Sequence, residues 1–191
     1  MSIKKSFRVY YLLISEGTTE FNIFAYITKD KFRELFENSN IKFSIKVEII
    51  NGDQVISQGK LGGAGNIGDF KAKHALIKSY YADQTLFFLL DKDLDDSLDI
   101  EKIITAGGDI VQFIEFNSEH LLLKFAGKNP KKPSEFTNLK DFRDYTKAEF
   151  LKEFSKKASD LINTDFDLIF ANTSYKEISS SFDKLFSTLP N

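Results

Sequence analysis

The segment from Thr85 to Leu90, TLFFLL, is apolar from its second residue onward and runs directly into DKDLDD, residues 91–96. An apolar run without polar alternation predicts a strand covered on both faces, as in a parallel sheet enclosed by helices. Phe7 to Ser15 makes the same demand near the start of the chain, being rich in aromatic and β-branched residues and nearly unbroken in apolar character. With 191 residues, 42% of them hydrophobic, the chain can bury a core of its own and reads as one globular unit.

Between these runs the period of the apolar pattern changes. Glu16-Gly17 breaks the first strand. Thr18 or Thr19 can then cap a helix whose Phe21, Phe24, Ala25, Phe32, Leu35 and Phe36 form one stripe ending around Asn38. IKFSIKVEII, residues 41–50, alternates Ile41, Phe43, Ile45, Val47 and Ile49 against polar neighbours, which predicts a strand with one wetter face near a sheet edge. Residues 51–69 hold six of the ten glycines and read as loop. A helix over Asp69–Tyr81, the strand Thr85–Leu90, a short helix over Leu98–Ile104 stopping at Gly107-Gly108, and a strand in DIVQFIEF follow.

The order β-α-β-α-β-α-β predicts an α/β fold: a mostly parallel central sheet of about four strands, helices on both faces, and ligands at the carboxyl ends of the strands. After Phe116, HLLLKF, LKDFRDYTKAEFLKEFSKKASDLI and SYKEISSSFDKLF read as helices, interrupted by the basic loop GKNPKKPSEF and by an ambiguous DFDLIFA. The expected division is therefore an α/β domain over residues 1–125 and a helical extension over 126–191 packed on the same domain.

Composition narrows the chemistry. Without cysteine there are no disulfides, no thiolate chemistry and no cysteine-held zinc; His74 and His120 are the only imidazoles, so a metal would be held by oxygen. A net charge of −2 means that nucleic acid would have to be met by a local basic patch. MSIKKSFRVYYLLIS has a short apolar run, broken by tyrosines and lacking a small-residue cleavage site, so it reads as the first strand of a cytoplasmic protein. No stretch reaches the roughly eighteen consecutive apolar residues of a membrane span.

The acidic stretch admits several readings. Residues i and i+2 of a strand share a face, so Asp91 and Asp93 would stand roughly 6 to 7 Å apart, within reach of one cation, with Asp95 continuing the row. Alternatively, these carboxylates face water at a helix N-terminus, where the helix dipole favours them. An EF-hand loop starting at Asp91 fails, because Asp96 stands where glycine is needed and Lys102 where glutamate is needed. A phosphatase of the haloacid dehalogenase type would place its Asp-x-Asp on the first strand, followed by threonine or valine, not Leu94 on a late strand. Glu16 adds a second acid at the end of the first strand, on the edge where Asp91 and Asp93 also end, beside a helix start able to hold phosphate.

ISEGTTE, residues 14–20, resembles the first motif of Toprim (topoisomerase-primase) domains, and its EGxTE form is similar to the small Toprim proteins of OLD-type and RloB-like defence nucleases. LLDKDLD, residues 89–95, resembles the Asp-x-Asp-x-Asp motif of the same fold. NSEHLLLKF, residues 117–125, resembles the third signature, an acidic residue ahead of a leucine-rich helix; the family's usual aromatic is absent at His120 or Leu121. The resemblance spans about residues 7–125. It implies a Mg2+- or Mn2+-dependent nuclease in which Asp91, Asp93 and Asp95, with Glu16, hold the metal.

On that resemblance Glu16 is also the general acid or base, and Glu20 joins it in catalysis or in a second metal site. Gly17, Lys124 and Lys128 would contact the nucleic acid, with Lys131 and Lys132 in the same basic loop, and Glu119 and His120 are further candidates. The implied partners are DNA or RNA, transfer RNA included, and a separate ATPase subunit, since GGAGN lacks the lysine and serine or threonine of a Walker motif. Two other readings stay open: a Toprim-like module that binds nucleic acid or nucleotide without cleaving it, and a small-molecule phosphatase. His74, on the apolar stripe of its helix, reads as a packed residue.

Overall fold

A computed structural model describes residues 8–44, 48–51, 54–57, 59–62, 66–92 and 96–190. Val9–Ser15 (β1), Ile41–Ser44 (β2), Thr85–Asp91 (β5) and Ile110–Ile114 (β6) form a four-stranded sheet in the order β2-β1-β5-β6, every neighbouring pair parallel. Glu48–Asn51 (β3) and Gln54–Ser57 (β4) intervene as a separate antiparallel hairpin. The α/β class with helices on both faces is thus the observed architecture.

The unbroken apolar runs work because the pleat sends alternate residues into different layers. Leu12, Ile14, Leu86, Phe88, Leu90 and Val111 face a layer made by Phe70, Leu76 and Ile77 of Ile67–Tyr80 (α3) and by Ile100 and Ile104 of Ser97–Ala106 (α4). Leu13, Phe87, Leu89 and Ile114 face the opposite layer, built on Thr18–Tyr26 (α1) and Ser118–Phe125 (α5).

That second layer is completed from the C-terminal third. Phe150 of Leu139–Phe154 (α6), Phe166 of Asn163–Ile169 (α7), Ile178 of Tyr175–Ser181 (α8) and Leu185 of Asp183–Ser187 (α9) are buried in it, together with Phe170 and Phe182. Burial of side chains of this size contributes about 1.5–3 kcal/mol each. Gln112 of β6 pins the last helices to the sheet edge: its Oε1 accepts from the Lys184 amide at 2.8 Å and its Nε2 donates to the Ser181 carbonyl at 3.2 Å.

Several elements differ from the sequence reading. The alternating strand over 41–50 is divided: Ile41–Ser44 is the sheet edge, Glu48–Asn51 belongs to the hairpin, and residues 45–47 lie outside the described residues. The glycine-rich stretch 51–69 is not all loop, since it contains β4 and the start of α3. The long helix after Thr18 is α1, a wider π-type segment Ile27–Lys31, and Arg33–Asn38 (α2). In that segment the Phe32 amide bonds the Ile27 carbonyl, while the Thr28 hydroxyl donates to the Phe24 carbonyl and competes for an acceptor of the regular helix. α6 stops at Phe154, where Ser155 turns left-handed, and the ambiguous DFDLIFA is helical through Ile169 as part of α7, its last two residues forming a turn.

Candidate active site at the carboxyl edge of the sheet

The parallel ladder brings the ends of β1, β5 and β6 to one edge. The Glu16 amide donates to the Leu89 carbonyl and the Lys92 amide to the Ile114 carbonyl, each at 3.0 Å, carrying the pairing one residue past the strands. Glu16 Oε2 then accepts from the Asp91 amide at 3.0 Å. α1 begins immediately after Gly17, which has no side chain to cap it, so its first backbone amides are available at this edge. Glu20, in the first turn of α1, is only 6% exposed.

Ser118, the first residue of α5, joins these groups. Its Oγ stands 2.7 Å from Glu20 Oε1 and 2.9 Å from Asp91 Oδ1. Three of the expected residues, Glu16, Glu20 and Asp91, therefore meet within hydrogen-bonding distance of one another or of a single hydroxyl. Gly17 completes the arrangement sterically. A Cβ there would lie 3.2 Å from Glu20 Oε2, so glycine leaves the room the carboxylate occupies, although its backbone is in an ordinary extended conformation.

The start of α5 is held by Asn117, whose Oδ1 accepts from the His120 amide and whose Nδ2 donates to Thr146 Oγ1 of α6, both at 2.9 Å. Phe116, just before it, sits at φ 65°, a left-handed conformation unusual for a side chain of this kind, and turns β6 sharply into α5. A basic residue also reaches this edge from the glycine-rich stretch. Lys60 bridges to Ser15 in parallel register, and its Nζ lies 5.1 Å from the Phe21 ring centre.

Other expected site residues are elsewhere. Asp93 and Asp95 lie outside the described residues, so the expected approach of Glu16 to Asp93 does too. Asp96, the last acid of the same run, accepts from the Ile67 amide at 3.3 Å. Lys124 is six residues along α5 from Ser118, about 9 Å down the axis, and stands 3.8 Å from Glu115. Lys128 is ion-paired with Glu153. Lys131 leans over Phe136 and Tyr145, its Nζ 6.0 and 5.9 Å from their ring centres, and the Lys132 amide donates to Glu135.

His120 is packed, its ring 4.9 Å from Phe116 and 5.8 Å from Phe142, with Nε2 buried and unpartnered. Burial holds its pKa below the usual imidazole value. His74 is also packed, against Phe70 and Phe88, with Nε2 3.5 Å from Asp109. Glu119 lines a separate cavity beside the α1 start.

Ser118, Asn117 and Lys60 were not legible as site residues. For Asn117 the available signal was an Asn before a helical run with the helix-start pattern NSEH. Nothing in the sequence distinguished Lys60 from the other lysines.

The carboxylates are hard oxygen donors, the type Mg2+ or Mn2+ takes. Among the described residues, however, no group of three or more His, Cys, Asp and Glu is gathered so as to hold a metal ion by itself. Also among the described residues, no helix is long and apolar enough to cross a membrane. Comparison of the chain with protein-family models, with curated proteins and with solved structures finds no match.

Proposed function

We propose that this chain is a divalent-metal-dependent phosphodiesterase that cleaves DNA or RNA at the carboxyl edge of its sheet, working in the cytoplasm as a defence nuclease beside a separate ATPase subunit. The observation supporting this reading is the meeting of Glu20 and Asp91 on Ser118, with Glu16 on the Asp91 amide, at two parallel strand ends and two helix starts. The resemblance of ISEGTTE and LLDKDLD to Toprim motifs points the same way.

In this reading Asp91 and Glu20 hold Mg2+ or Mn2+ together with water, and Asp93 and Asp95 follow in the same acidic run. When bound, the cation polarises a phosphoryl oxygen and acidifies a bound water. Glu16 is held against the Asp91 amide, which fixes its carboxylate at the edge as the proton acceptor. The uncapped first amides of α1 face the phosphate.

The test is cleavage of single-stranded DNA, duplex DNA and RNA, transfer RNA included, with Mg2+, Mn2+ or EDTA, and with a small phosphate monoester alongside. Metal-dependent scission of a polynucleotide is the expected result. Glu16→Gln and Asp91→Asn should each lower it about 100-fold or more while the melting transition stays cooperative. Binding without scission in every metal would turn the reading to a non-cleaving module, and turnover of the monoester alone would turn it to a phosphatase. Wild-type cleavage by either variant would remove these carboxylates from the mechanism.

A further inference from the structure

A cavity of about 450 Å3 opens on the other side of the same two helix starts. Its wall includes Thr19 and Glu119, the sequence neighbours of Glu20 and Ser118, so it adjoins the carboxylate cluster across one residue of α1 and one of α5. Exposed Ala148 and half-exposed Leu151 form its apolar floor, and Lys147 and Lys157 line it as well.

On α6 and the turn that follows it, Lys140, Lys152 and Lys156 are ion-paired with Asp144, Glu149 and Asp165. Among the described residues, Lys147 and Lys157 have no ion pair, and they are the lysines that line the cavity. Asn22 Nδ2 donates to the Ser159 carbonyl at 3.3 Å, which ties the turn carrying Lys157 to α1. The turn that carries Lys157 is thus attached to the helix that carries Glu20.

Unpaired ammonium groups beside an apolar floor suit a ligand with an anionic and a flat apolar part, and the volume falls in the usual range for small-ligand cavities. We infer that this cavity takes one nucleotide unit of a single-stranded nucleic acid, its phosphate between Lys147 and Lys157 and its base on Ala148 and Leu151. The position of this unit next to the scissile phosphate rests on the proposed function; the binding itself does not.

The experiment measures binding of a fluorescein-labelled dT12 oligonucleotide by anisotropy in EDTA over a series of salt concentrations, so that no cleavage intervenes. Wild type should bind with a salt-dependent affinity. Lys147→Ala and Lys157→Ala should each reduce the slope of log K against log salt, and the double variant, which no longer neutralises the one phosphate, by about 0.7. Lys152→Ala, on the same helix but off the cavity, should leave the slope unchanged. Thymidine monophosphate should compete better than inorganic phosphate at equal ionic strength.

Absence of wild-type binding, a wild-type slope in the double variant, or equal competition by phosphate would each overturn the inference. Lys147→Glu, with its melting temperature checked, guards against a silent alanine change and should weaken binding further. If the double variant loses slope while no metal and no polynucleotide yields cleavage, the inference stands and the proposed cleavage falls. If the wild type cleaves and the double variant binds as the wild type does, the cleavage stands and the inference falls.

Discussion

A serine hydroxyl has one proton, yet Ser118 Oγ lies within hydrogen-bonding distance of two carboxylate oxygens, Glu20 Oε1 and Asp91 Oδ1. It can donate to one of them at a time. The second contact then sets oxygen against oxygen, unless a cation draws the group together. Removing one charge while supplying a donor should therefore relieve the strain: Glu20→Gln is expected to melt at or above the wild type in EDTA. It should also lose most of any stabilisation by Mn2+, which for a cation at about a hundred times its dissociation constant would be roughly 2.7 kcal/mol in wild type. A melting curve with and without Mn2+ decides it. If the variant melts lower in EDTA and gains as much from Mn2+ as wild type, the cluster is a hydrogen-bonded helix start and holds no cation. At this scale Glu16, Gly17, Glu20 and Asp91 were readable, because strand-end acids and an acid in the first turn of a helix are local patterns. Ser118 was not, since its role depends on β6 delivering α5 to the edge where β1 and β5 end.

Among the elements, the two buried apolar strands were the most legible, because covering on both faces leaves no polar position to confuse the reading. The β3–β4 hairpin was lost for the opposite reason. Asn51 pairs with Gln54, so only Gly52-Asp53 connects the strands, a turn dipeptide that signals a hairpin; the density of glycine around it pointed to loop instead. The helices bring a pH dependence. His74 on α3 and His120 on α5 both have pKa values lowered, in each case first by burial. For His74 the opposing pull is Asp109, with Lys78 nearby; for His120 it is Glu115, with Lys124 and Lys132 acting the other way. A depressed folded-state value means that the unfolded chain takes up protons first. Stability is then complete above the ordinary value of 6.5 and declines as pH falls through it toward the folded values. Melting temperature should fall between pH 7.5 and pH 5.5, before most carboxylates titrate. His120→Phe, which keeps an aromatic ring between Phe116 and Phe142 and removes the unpartnered Nε2, should flatten part of that slope. A flat wild-type profile, or an unchanged slope in the variant, would show that these imidazoles do not control it.

For the molecule as a whole, the question is whether the sheet stands without the C-terminal third. The sequence places a change of pattern after Phe116 and a boundary at residue 125, but it cannot show which side of the sheet the later helices cover, because that depends on crossover direction and long-range packing. In the structure one layer rests on α3 and α4, which lie between the strands in sequence, while the other needs Phe150, Phe166, Phe170 and Phe182 from beyond residue 126. Each of these side chains is at most 1% exposed. At about 1.5–3 kcal/mol apiece their loss alone is comparable to the roughly 5–15 kcal/mol net stability of a domain. Tyr26 adds a polar tie, donating from its hydroxyl to Asp167 Oδ1 at 2.8 Å. A chain ended at residue 138 should therefore show no cooperative thermal transition and should bind a hydrophobic dye, whereas one ended at residue 188 should melt close to the full chain. Supplying residues 139–191 as a separate fragment tests the cause, because restored cooperativity on mixing would assign the defect to the missing layer and not to damage at the cut. A sharp transition in the 1–138 chain alone would mean that α1 and α5 suffice to cover this face, and that the C-terminal helices are an addition to a sheet already stable without them.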